Sequence, residues 1–207
     1  MKKRFETKTL ALLGLMAALL LIMAYTPLGY LNIGALAITF NTIPVAIAAY
    51  AMGPLGGGII GGFFGLTSFL QCFGLSKLGT ALFAINPALT VFQCFVPRIL
   101  DGILVGFIAS VLRKKNAPVP VGSAVTGFGA AFFNTLFYMS SLMILFGSSD
   151  TIQTYWDTVA PGRNVIVFVA LFVGVNAVVE WFSTAVITCA VCSGLQKAGF
   201  IRKQTAR

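Results

Sequence analysis

The chain has 207 residues, 58% of them hydrophobic and only 9% charged, with a formal net charge of +9 and no histidine. Soluble domains carry about 25% charged residues, so an ordinary water-soluble surface is excluded. The missing histidine removes His-based acid/base catalysis, His-containing triads and the usual zinc sites. From Thr9 to Ser76, 68 consecutive residues carry no charge, enough for about three bilayer crossings at roughly 20 residues each.

Taken in order, the apolar runs predict six transmembrane helices in one membrane domain spanning 1–207. The first covers 9–25, Leu- and Ala-rich and too long for a signal-peptide core. Residues 27–34 break helical periodicity, and 35–40 read as an extended piece before a new start at 41–44. A short second helix over 42–52 ends at Gly53-Pro54, and a glycine-rich third covers 55–73. After a loop over 74–84, the fourth helix spans 86–112, with Pro87 in its first turn and a kink expected near Pro97. The fifth spans 121–146. Residues 147–163 form a polar loop with Tyr155 and Trp156 as interfacial aromatics, and the sixth helix covers 164–195.

The basic residues sit at the ends of these runs. Lys2, Lys3, Arg4 and Lys8 precede the first, Arg113, Lys114 and Lys115 follow the fourth, and Lys197, Arg202, Lys203 and Arg207 follow the sixth. The positive-inside rule therefore places both termini in the cytoplasm and leaves Lys77 and Arg163 outside. The irregular segment after the first helix and both longer loops then fall on the outer face, where they can cap a ligand cavity. The charges form no RNA-binding motif, and a nucleic-acid partner is not expected.

Gly57, Gly61 and Gly65 recur every four residues, flanked by Gly58 and Gly62. No Gly-Lys-Ser/Thr follows, so this is a close-packing stripe and not a phosphate loop. Gly14 and Ala18 form a milder pair on the first helix, suited either to internal packing or to docking another membrane subunit. Cys189-x-x-Cys192 lies on an apolar helix without further ligands, which argues against a redox or metal role.

Ionisable groups inside a membrane are costly and mark functional positions. Three occur: Arg98, Asp101 and Glu180. Arg98 and Asp101, three apart, can neutralise one another, or Arg98 can point into a cavity and present its planar donor fork to a carboxylate while Asp101 or Glu180 orients it. Asn176, Glu180 and Thr184 share one helical stripe, as do Asn86, Thr90, Gln93 and Pro97 on another; Asn134, Tyr138 and Ser141 add a third. Together they suggest a hydrogen-bonding cavity for a small polar molecule. Gln71 and Asn32 are candidates for its rim.

The succession Pro27-Leu-Gly-Tyr-Leu-Asn-Ile-Gly34, residues 39–44, Met52-Gly-Pro-Leu-Gly56, Gly61-Gly-Phe-Phe-Gly-Leu-Thr-Ser68 and Val96-Pro-Arg98 resembles the substrate-binding S components of energy-coupling factor (ECF) vitamin transporters, over essentially the whole chain. Leu70-Gln-Cys-Phe-Gly74 and Phe83-Ala-Ile-Asn-Pro87 most resemble the pantothenate-specific branch. The resemblance implies a multi-pass protein of a prokaryotic cell membrane that binds vitamin from outside and delivers it by toppling in the bilayer. Its partners would be a transmembrane coupling T component and two cytoplasmic ATP-binding cassette ATPases. It carries the family's docking motif onto Gly14 and Ala18, with glycine in place of the usual alanine at the first position.

For pantothenate, Arg98 would anchor the carboxylate, directly or through a network with Asp101, while Asn86, Gln93, Asn134 and Tyr138 contact the amide and hydroxyl groups. The reading assigns the chain no enzymatic activity, no cofactor and no metal. Competing readings are an S component for riboflavin, folate or a pyridoxine-like vitamin, and a proton-coupled secondary transporter using Asp101 and Glu180.

Overall fold

The structure, a computed structural model, describes residues 7–26, 30–33 and 36–201, with only the backbone described for 30–33, 36–38 and Val175. Helix α1 (Thr7–Tyr25) leads to an antiparallel hairpin of β1 (Tyr30–Ile33) and β2 (Leu36–Thr39), in which Tyr30 pairs with Thr39 and Asn32 with Ala37. There follow α2 (Thr42–Gln71), α3 (Lys77–Ile85), α4 (Pro87–Lys114), α5 (Val119–Phe146), α6 (Asp150–Val159) and α7 (Val165–Lys197). Among the described residues five helices are long and apolar enough to cross a membrane: α1, α2, α4, α5 and the 176–197 part of α7. The chain is a helical membrane protein, and its outward-facing Ile144, Ile166, Phe182 and Val186 suit a lipid surroundings.

Helix α2 is two helical arms that break at Gly53. Gly53 takes φ 73° and ψ −156°, a left-handed backbone open to glycine, immediately before Pro54. A Cβ on Gly57 would stand 3.0 Å from the Cβ of Ala49, and one on Gly56 would stand 2.9 Å from the carbonyl oxygen of Ala48. Residues eight apart in a straight helix are separated by about 12 Å, so 42–52 and 54–71 fold back on each other. This matches the division at Gly53-Pro54 expected from sequence. Arg113 of α4 holds the turn by donating to the Ala51 carbonyl at 2.9 Å, one of the acceptors left open at a helix end. Eleven residues rise only about 16 Å as a helix, so 42–52 does not span a membrane alone.

The glycine stripe packs α2 against α4 at backbone distance. A Cβ on Gly57 would collide with the carbonyl of Gly102, one on Gly61 with the carbonyl of Arg98, and one on Gly65 would lie 2.9 Å from the carbonyl of Cys94. Gly102 and Gly106 answer from α4, against Gly57 and Pro54. The packing role read from the sequence therefore holds, and the partner surface carries glycines of its own. Helices α4 and α7 both pack on α2 and α5, closing a ring of four.

Two segments read as loops are helical. Residues 77–85, nearly all within the expected 74–84 loop, form α3, capped by Ser76 Oγ, which accepts from the Gly79 N–H at 3.1 Å. The polar 147–163 segment contains α6, started by Ser149, whose Oγ accepts from the Ile152 N–H at 3.4 Å. Both are short helices started by serine caps. Trp156 stacks on Phe168 at 5.2 Å and donates to the Arg163 carbonyl, so it packs on α7 instead of standing free. Ile152, Leu82, Met139, Leu142, Phe146 and Phe168 make a hydrophobic cluster at this end of the bundle. A second cluster, including Leu13, Met16, Tyr50, Val119 and Ile201, fills the other end.

Candidate functional site

A cavity of about 880 Å³ lies between α2, α4, α5 and α7, at the end that carries α3 and the β-hairpin. Its wall includes Arg98, Gln93, Asn134, Tyr138, Gln71 and Glu180. Five of the seven residues expected to bind substrate are thus brought together, and Glu180, expected as a supporting charge, joins them.

Proline chemistry fixes Arg98. Pro97 has no N–H, so the carbonyl four residues earlier, that of Gln93, loses its helical donor. The Arg98 guanidinium supplies the replacement, donating to the Gln93 carbonyl at 2.8 Å. The guanidinium centre lies 4.3 Å from the Tyr138 ring centroid and 5.3 Å from that of Phe64, distances at which cation and ring attract. Gln93 also donates its side-chain amide to the Tyr138 carbonyl at 2.9 Å, tying α4 to α5. Arg98 is 8% exposed, and among the described residues no ion pair joins it to Asp101 or Glu180. The self-neutralising pair that the spacing permits is therefore not formed within ion-pair distance.

Three buried polar atoms on this wall, Arg98 Nε, Gln93 Oε1 and Asn134 Oδ1, have no hydrogen-bond partner among the described residues. An unsatisfied buried polar group costs about 1–3 kcal/mol, and here one donor and two acceptors belong to residues that line the same cavity. The arrangement suits a ligand that carries both an acid or carbonyl oxygen and N–H or O–H groups.

The remaining expected residues are placed elsewhere. Asn86 caps α4, its Oδ1 accepting from the Leu89 N–H at 3.1 Å, and does not line the cavity. Asp101 lies one turn deeper, 1% exposed and away from the lining. Asn32 sits in β1, and its side chain lies outside the described atoms. Gln71 donates to the Ala24 carbonyl at 2.7 Å, joining the ends of α1 and α2 at the rim. Gly14 and Ala18 are exposed on α1, and a Cβ on Gly14 would meet nothing within 4 Å, so among the described residues they do not pack inside the bundle. Lys77 lines the mouth, whereas Arg163 is exposed outside the lining.

Several lining residues were not singled out from sequence for the site. Phe64 sits within the glycine stripe and carries no polar signal of its own. Tyr155, on α6, reaches the wall with Phe172. Thr39 closes the cavity from the end of β2 and donates its backbone N–H to Glu180 at 3.4 Å. Cys72 and Cys94 also line it, with sulfurs 3.8 Å apart and both thiols free.

Comparison with known proteins places this chain in a family. The family model for "ECF transporter, substrate-specific component" matches residues 8–192. The chain is 30% identical over 194 residues to the pantothenate transporter PanT of Leuconostoc mesenteroides, covering 90% of this chain and 91% of that protein. It is 22% identical to the pantothenic acid transporter PanT of Lactococcus lactis, covering 95% and 97%. A multi-pass helical chain with a polar cavity walled by α2, α4, α5 and α7, matched over most of its length, belongs to the substrate-specific components of ECF transporters.

Proposed function

We propose that this chain is the pantothenate-binding membrane subunit of an ECF importer. The observation that carries the ligand assignment is the buried Arg98 guanidinium, lining one cavity with Gln93 and Asn134, where Arg98 Nε and the two side-chain oxygens have no partner among the described residues. Pantothenate offers a carboxylate for the first and amide and hydroxyl donors for the second. Two relatives that carry this substrate in their names support the same reading. Arg98 binds the carboxylate, Gln93, Asn134 and Tyr138 position the amide and hydroxyls, and Gln71 closes the rim. Asn86 and Asp101 support α4 without touching ligand.

The chain crosses a prokaryotic cell membrane six times, counting the two arms of α2, the shorter of which reaches its depth together with the β-hairpin. Lys8, Arg113, Lys114, Lys115 and Lys197 gather at the end opposite the cavity, which supports cytoplasmic termini and an outward-facing site. The chain performs no catalysis. Transport requires a transmembrane coupling T component and two cytoplasmic ATPases, and the outward Gly14 and Ala18 face is the docking surface, since small residues let helices approach closely in lipid.

Uptake of radiolabelled pantothenate tests this. In cells lacking their own importer, the chain co-expressed with the coupling subunit and ATPases accumulates label, and the chain alone does not. Ala18→Trp retains binding in the purified chain but loses co-purification with the coupling subunit and at least tenfold of uptake. Accumulation by the chain alone, abolished when the proton gradient is collapsed, would favour a secondary transporter instead.

A further inference from the structure

Glu180 has no part in the carboxylate-binding scheme, yet it is 7% exposed and lines the same cavity. It stands on α7, across α5 from the Arg98 helix. Among the described residues its carboxyl accepts two hydrogen bonds, one per oxygen. Oε2 accepts from the Thr39 N–H at 3.4 Å and Oε1 from the Thr42 hydroxyl at 3.5 Å. Both are at the long limit for hydrogen bonds, and a carboxylate offers about four acceptor sites. Thr42 is itself held 3.3 Å from the Thr184 hydroxyl. The carboxyl is therefore held from the β-hairpin and the start of α2, and the two bonds leave acceptor capacity on a residue that lines the cavity. No ion pair with Arg98 consumes it.

From this we infer that Glu180 is the specificity-determining acceptor for the hydroxyl end of the ligand. Arg98 marks the pole that receives an acid, and Glu180 marks a second pole that receives O–H donors. A ligand with an acid at one end and hydroxyls at the other then binds in one orientation. This rests on the pantothenate reading above and adds the residue that discriminates against molecules sharing only the acid and amide. Because a site built to hydrogen-bond a hydroxyl leaves its own buried group unpaired when the hydroxyl is missing, it rejects the deoxygenated analogue strongly.

Titration of the purified full chain with pantothenate and with an analogue in which both hydroxyls are replaced by hydrogen tests the assignment. The wild-type chain should prefer pantothenate by about 100-fold or more. Glu180→Gln, which keeps one acceptor oxygen, should reduce that preference by about tenfold, and Glu180→Leu should nearly abolish it, with affinity for the analogue unchanged within about threefold. Equal loss of affinity for both ligands in folded variants would show a structural role and overturn the inference. So would a wild-type chain that binds both equally, a result that does not depend on any variant folding. A wild-type chain that binds neither compound would overturn the pantothenate reading, and this inference with it; binding of pantothenate without discrimination would overturn the inference alone.

Discussion

Arg98→Ala lowers pantothenate affinity by roughly 30-fold or more, because truncating one partner of a buried, hydrogen-bonded charge pair costs about 2–5 kcal/mol. Arg98→Lys lies between the two. It keeps the positive charge but loses the planar fork and the stacking on Tyr138. The alanine change also strips the Gln93 carbonyl of the donor that replaces the missing Pro97 N–H, at about 1–3 kcal/mol of stability. Binding is therefore compared only among variants that remain monodisperse in detergent. A folded Arg98→Ala chain with wild-type affinity would remove Arg98 from the site and move the anchor to Lys77 at the mouth.

Gly57→Leu is expected to be the most damaging single change outside the cavity. The first atom of any side chain there meets the carbonyl of Gly102, backbone against backbone, and no rotamer relieves it. Overpacking an ordinary core costs about 1–3 kcal/mol, and a contact that forces two helices apart lies at or beyond the upper end. The expected result is a melting temperature lowered by about 10 °C, or no monodisperse protein. Separation of α2 from α4 also displaces Gly61 from the Arg98 carbonyl, so any folded fraction binds ligand weakly. Gly14→Leu is the control, since nothing lies within 4 Å of a Cβ there, and the isolated chain should melt within about 2 °C of wild type. Equal melting of Gly57→Leu and Gly14→Leu would show that the glycine stripe is not the α2–α4 contact.

The contrast between these two glycines shows what was legible in the sequence. The four-residue repeat announced close packing but not its partner; Gly102 and Gly106 belong to a helix thirty and more residues away, and only tertiary structure pairs them. Gly53-Pro54 was readable as a break because proline removes a donor and glycine admits positive φ. Arg98, Gln93, Asn134 and Tyr138 converge because each occupies a helical stripe whose opposite side is apolar. Asn86 shared the spacing of the α4 stripe, but Asn-Pro is also a helix-start signal, and the local cap uses its side chain. The serine caps of α3 and α6 were likewise present in the sequence, but Gly74 and Gly79 broke up the first short segment and the second was polar. Phe64 and Thr39 fall in stretches that carry the family resemblance, but nothing marked them for the site: one is an apolar residue among many, and the other contributes a backbone N–H.

The holder of Arg98 had a signal that spacing alone does not use. A proline inside a helix leaves the carbonyl four residues earlier without its donor, and in this chain that carbonyl belongs to Gln93, directly before the turn that ends in Pro97-Arg98. The kink expected near Pro97 is not accompanied by any non-helical residue in α4; the proline's consequence is a side chain drawn back along the helix into the cavity wall.

The most direct test of the central claim is calorimetric titration of the purified, detergent-solubilised chain, without coupling subunit or ATPases, against pantothenate and then riboflavin, folate and pyridoxine. The account predicts saturable one-to-one binding of pantothenate and none of the other three. Saturation by a different vitamin would contradict the ligand assignment while leaving the family intact, and no binding by a folded chain to any of the four would contradict the reading of the cavity as a vitamin site.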